Sequence, residues 1–133
     1  MKQTYVCVLF LLALVLPSLA SAQTTAPIQN PTLIAFTPSP DHANIAAYQV
    51  IIMQGATVVQ TLDIGKPNPC AASCPAGVAV GEASAVINVQ PINFGSYTIV
   101  MKAVAQGITG PASTPTDPWE RAPGPPGGKP KVR

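Results

Sequence analysis

The chain has 133 residues, 47% hydrophobic and only 9% charged, with 16 prolines, 10 glycines and a formal net charge of +2. That length suits one domain with a single modest core. Between residues 23 and 118 the bases Lys66 and Lys102 stand against the acids Asp41, Asp63, Glu82 and Asp117, while Arg121, Lys129, Lys131 and Arg133 crowd the end of the chain; the folded part therefore lacks the basic face that nucleic-acid binding needs.

At the amino end, Lys2 precedes an apolar run over residues 6–16, and Pro17, Ser18, Ala20, Ser21 and Ala22 follow as a helix breaker and a small-residue cleavage site. This is the pattern of a secretory signal peptide over residues 1–22, with Gln23 opening the mature chain. The apolar run is shorter than the roughly 20 residues needed to cross a bilayer. Cys7 lies inside the leader, so a lipid-modified cysteine anchor is not expected. No later segment is long and apolar enough to span a membrane, which points to a periplasmic or extracellular product.

From residue 32 the chain reads as short apolar runs separated by proline and glycine, the pattern of an all-β sandwich. Residues 32–37 form the first expected strand, with Ile34 and Phe36 inward. Pro38 and Pro40 forbid continued pairing, and Asp41 favours a turn. Residues 47–53 form the next strand, with Tyr48, Val50 and Ile52 on one face; Gly55 turns the chain into a strand over residues 57–62. A loop follows over residues 65–81. Residues 83–89 return as a strand, residues 97–105 alternate with Tyr97, Ile99, Met101 and Ala103 inward, and a short edge strand is expected near Ala112. Sustained helical periodicity is absent, so helix is at most a minor component.

Cys70 and Cys74 are the two cysteines of the mature chain, and a secreted setting favours their pairing over free thiols or a redox function. Pro69 and Pro75 bracket their loop and favour the compact turn a disulfide needs. A metal site finds few partners, since His42 is the sole histidine. Residues 119–133 read as a flexible, basic tail rich in proline and glycine, with Trp119 expected to pack on the end of the domain where the tail departs.

Together, Tyr97, Ile99, Met101 and Ala103, followed by Gly107, Gly110, Pro111 and Ser113, resemble the penultimate strand and following turn of a fibronectin type III domain. Phe36-Thr37-Pro38-Ser39 resembles that family's second strand and turn, with phenylalanine in place of its usual tryptophan, and Ala47-Tyr48-Gln49-Val50 resembles its third strand. Gly95-Ser96-Tyr97 is similar to the turn into the tyrosine whose hydroxyl bonds the preceding corner in related sandwiches. The resemblance covers residues 31–118. It implies an immunoglobulin-like β-sandwich of about seven short antiparallel strands over residues 23–118, used as a binding or structural module.

Catalytic patterns are missing. His42 sits in a polar turn with no nucleophile motif beside it, and Asp41, Asp63, Glu82, Asp117 and Glu120 are scattered across turns, where they solvate the surface. The expectation is a non-catalytic interaction or structural module without cofactor or metal, its partner a protein or a cell-envelope component. The competing reading is a small secreted enzyme or inhibitor using the loop from Lys66 to residue 82. If Tyr48, Val50 and Ile52 face the core, Ile51 and Met53 point outward, as do Val100 and Val104 on the neighbouring strand. Those four residues are expected to form an apolar face, either a contact surface or one covered by the long loops.

Overall fold

The computed structural model describes residues 25–124. The expected signal peptide over residues 1–22 and the tail from residue 125 onward lie outside them. The described residues are all-β apart from one 3-10 turn at His42–Asn44. In chain order the strands are β1 (Leu33–Phe36), β2 (Ala47–Gln54), β3 (Thr57–Asp63), β4 (Ala83–Val86), β5 (Gly95–Ala105), β6 (Ile108–Thr109) and β7 (Trp119–Arg121). They form two antiparallel sheets. One is β1 paired with β4; the other runs β3-β2-β5-β6, with β7 also on β5.

The β2–β5 ladder is the centre of the larger sheet, in register from Ala47 opposite Val104 to Met53 opposite Thr98. Period-2 alternation sends Val50, Ile52, Tyr97 and Ile99 to one face, where they meet Ile87, Val89, Ile92 and Trp119 in the main core. Ile34 of β1 and Leu62 of β3 pack against this cluster, so the small sheet closes over the large one. The Tyr97 hydroxyl donates to the Asn93 carbonyl at 2.7 Å. That bond ties the core to the corner entering β5.

Turn chemistry explains both hairpins of the large sheet. Gly55 has φ +59° at the first central position between Gln54 and Thr57, as a type II′ turn requires. Gln106 and Gly107 both have positive φ between Ala105 and Ile108, the requirement of type I′. A bulge in β3 sets two residues, Val58 and Val59, beside Met53 before Gln60 meets Ile52. Gln60 is thereby turned to the side of Ile52, and its Oε1 is buried without a hydrogen-bond partner among the described residues.

Three boundaries differ from the sequence-based expectation by more than two residues. The strand expected over residues 83–89 ends at Val86, because Gln90 N–H turns back to Asn88 Oδ1 and Ile92 N–H to the Val89 carbonyl. The edge strand expected near Ala112 is β6 at Ile108–Thr109, which Gly110 and Pro111 interrupt. The folded part also continues past Pro118: Trp119–Arg121, expected in the tail, is a strand on β5, with Tyr97 opposite Trp119.

Arg121 belongs to this closure and not to a basic tail. Its guanidinium donates to the Val89 carbonyl, Asn30 Oδ1, the Ala122 carbonyl and Gln90 Oε1, and it lies 5.1 Å from the Phe94 ring centroid. Asn30 holds the amino-terminal segment in turn, since its N–H donates to the Glu120 carbonyl and its side chain bonds Ala122. Both ends of the described chain are therefore fastened at one edge.

Residues 110–118 continue along β5 in a broken form. Gly110, Ser113 and Thr116 donate their N–H groups to the carbonyls of Ala103, Met101 and Ile99. In the opposite direction, Met101 N–H reaches Ser113 Oγ at 2.9 Å and Ile99 N–H reaches Thr116 Oγ1 at 3.0 Å. Side-chain hydroxyls thus replace main-chain acceptors where Pro111, Pro115 and Pro118 prevent a regular ladder. Thr116→Val should leave Ile99 N–H unsatisfied and cost about 1–3 kcal/mol in urea unfolding. Thr114→Val, with no such bond to lose, should stay within about 0.5 kcal/mol.

Candidate functional site

The free edge of β1 is the feature most open to a partner. Ile87 N–H donates to the Thr32 carbonyl, so Thr32 and Ile87 form a hydrogen-bonded pair; by alternation the main-chain groups of Ile34 and Phe36 also point to β4. Those of Leu33 and Ala35 therefore point to the opposite edge, which carries no strand among the described residues. Beyond that edge lies a groove bounded by residues 113–116.

Two adjoining cavities of about 290 and 450 Å³ make up this groove, and Phe36, Met101, Ser113 and Thr114 line both. Ile34 and Ile99 add apolar lining to the smaller; Tyr48 and Lys102 line the larger. Tyr48 is held in place by polar neighbours. Its hydroxyl lies 2.9 Å from His42 Nδ1 and accepts the Ser39 N–H at 3.1 Å, and its ring packs at 5.0 Å from that of Phe36. The arrangement offers main-chain hydrogen bonds along one bank and apolar pockets at alternate positions, the two requirements for receiving an extended peptide.

The residues with chemical potential are spread apart and used locally. Asp63 Oδ1 accepts the Gly65 N–H at 2.9 Å, and Glu82 Oε2 accepts the Ala79 N–H at 2.8 Å. Lys66 Nζ donates to the Ala43 carbonyl at 3.0 Å, pinning the loop of residues 66–82 to the turn that carries His42. Among the described residues no group of three His, Cys, Asp or Glu side chains is placed to hold a metal. Cys70 and Cys74 are joined as a disulfide with Cα atoms 5.6 Å apart. Cys70 also closes its loop through the main chain, by Cys70 N–H to the Glu82 carbonyl and Gly81 N–H to the Cys70 carbonyl.

Of the two outcomes open to the expected apolar face, contact surface or covered surface, the exposures favour the second. Ile51 and Val100 are direct ladder partners, and Met53 and Val104 belong to the same two strands. However, Ile51 is 8% and Val100 7% exposed, while Met53 and Val104 are half-buried. Ile51 sits in the central strand of the sheet, between Thr61 and Val100. These residues do not present an open contact surface. The largest exposed apolar side chains lie elsewhere, among them Val86 at 80% and Phe94 at 62%.

The groove itself was not visible in the sequence. Its residues come from β1, β2, β5 and residues 110–116, and no local spacing connects them. The clustering of Ser113 and Thr116 with three prolines was the available signal that an edge strand here needs hydroxyl acceptors.

Substitution separates the buried face from a true surface. Ile51→Lys should lower stability by about 2 kcal/mol in urea unfolding, because a charge enters a shielded site. Val86→Lys should change it by less than about 0.5 kcal/mol. Replacing both Cys70 and Cys74 with serine should cost on the order of 2 kcal/mol at most, since the closed loop is short. Searches with protein-family models, among curated proteins and among solved structures each return no match for this chain.

Proposed function

We propose that this chain is a secreted, non-catalytic interaction module of the cell envelope or extracellular space, built as an immunoglobulin-like sandwich of the fibronectin type III kind. The strand order supports the reading. Under that reading β1 and β4 would correspond to strands B and E, and β3, β2, β5 and β6 to C′, C, F and G. The bond from the Tyr97 hydroxyl to Asn93, four residues upstream, is the geometry of a tyrosine corner. The leader pattern of residues 1–22 and the pairing of Cys70 with Cys74 favour export.

The observation that carries the binding role is the unpartnered edge of β1 beside an apolar groove. A partner strand laid there bonds the main-chain groups of Leu33 and Ala35 and places alternate side chains over Phe36 and Met101. Recognition of this type relies on backbone geometry for affinity and on the groove for selectivity.

Proline at position 35 removes a donor from the free edge without touching the β1–β4 hydrogen bonds. Ala35→Pro should abolish capture of the partner from the secreted or envelope fraction, with a melting temperature close to that of the parent. Capture at the parental level by a folded Ala35→Pro protein overturns strand addition at β1.

A further inference from the structure

Residues 111–118 read Pro-Ala-Ser-Thr-Pro-Thr-Asp-Pro, and all of them are exposed. Serine and threonine interleaved with proline are the composition on which O-linked sugars are placed in exported proteins. Proline holds such a stretch extended and accessible to an enzyme.

The structure distinguishes the three hydroxyls of this stretch. Ser113 Oγ accepts the Met101 N–H and donates to the Thr114 carbonyl at 3.0 Å, so both its roles are taken. Thr116 Oγ1 accepts the Ile99 N–H. A sugar on Ser113 removes the hydrogen that Oγ donates to the Thr114 carbonyl, and a sugar on Thr116 adds bulk to an oxygen seated against the Ile99 N–H. Thr114 Oγ1 has no hydrogen-bond partner among the described residues, and its neighbours on both sides hold the backbone in place through Ser113 N–H to Met101 and Thr116 N–H to Ile99. Thr114 is thus a fixed, exposed and unengaged hydroxyl followed directly by Pro115.

We propose that Thr114 is an O-glycosylation site that accepts a monosaccharide from an activated sugar phosphate. Thr114 Oγ1 forms a bond to the anomeric carbon of the sugar as the bond from that carbon to the phosphate oxygen breaks. The phosphate leaves with the bonding electron pair, and the hydroxyl proton passes to a base of the transferase. Because Thr114 lines both cavities of the groove, the attached sugar lies at the mouth of the space beside β1. The modification rests on the secretory reading of residues 1–22 and does not depend on strand addition.

Protein isolated from its native source provides the test. Trypsin releases residues 103–121 as one peptide, bounded by Lys102 and Arg121. Mass spectrometry with electron-transfer fragmentation should find a hexose or N-acetylhexosamine increment on Thr114. The increment should vanish in Thr114→Val made in the same source and persist in Thr114→Ser, with the melting temperature of both unchanged. A bare peptide from protein whose amino terminus is Gln23 overturns the site while leaving export intact. A bare peptide from protein that still begins at Met1 overturns both. A phosphate increment at Thr114, or a sugar on Ser113 or Thr116 instead, also overturns the assignment.

Discussion

The pairing of β2 with β5 is the constraint from which the remaining structure follows. Seven consecutive antiparallel pairs, from Ala47 opposite Val104 to Met53 opposite Thr98, set the register of every side chain on the large sheet. A slip of one residue would carry Val50, Ile52, Tyr97 and Ile99 away from the core they now build with Trp119 and Ile87. The small sheet depends on the same register, because Ile34 needs that apolar surface to pack against. The corner bond of Tyr97 then fixes how the chain enters β5.

An edge beside β5 creates a conflict between sequence and ladder. Pro111, Pro115 and Pro118 keep this segment from lying as a regular strand whose carbonyls face β5, yet the N–H groups of Ile99 and Met101 are in a buried or half-buried strand and need acceptors. Thr116 and Ser113 resolve the conflict with side-chain oxygens. Past the last proline, Trp119–Arg121 resumes regular pairing, and Arg121 gathers Val89, Gln90 and Asn30 around that edge. The edge is closed to further pairing where it is regular and exposed where it is proline-rich.

The other sheet has the opposite character. β1 has β4 on one side only, and its second row of main-chain groups borders the groove. Edge strands of this kind invite pairing with another chain unless they are short, charged or covered. β1 is short, at Leu33–Phe36, and carries no charge, so its length limits indiscriminate association while leaving room for a selective partner. Thr114 stands on the opposite bank, where an attached sugar would alter access to the same edge.

Local pattern determined a great deal of this protein. The alternation in residues 47–53 and 97–105, the turns at Gly55 and Gly107, and the short spacing of Cys70 and Cys74 each express a short-range rule, so strand identity, core face and disulfide were legible without coordinates. Arg121 was misread because composition alone placed it with the basic residues that follow; its partners Asn30 and Val89 lie 91 and 32 residues away in the chain. The sequence left open whether the face of Ile51 and Val100 is covered, for a related reason. Period-2 alternation determines which side of a sheet a residue occupies, whereas its accessibility depends on what the rest of the chain packs over that side. The free edge of β1 and its groove were likewise decided by strand order, which no local pattern encodes.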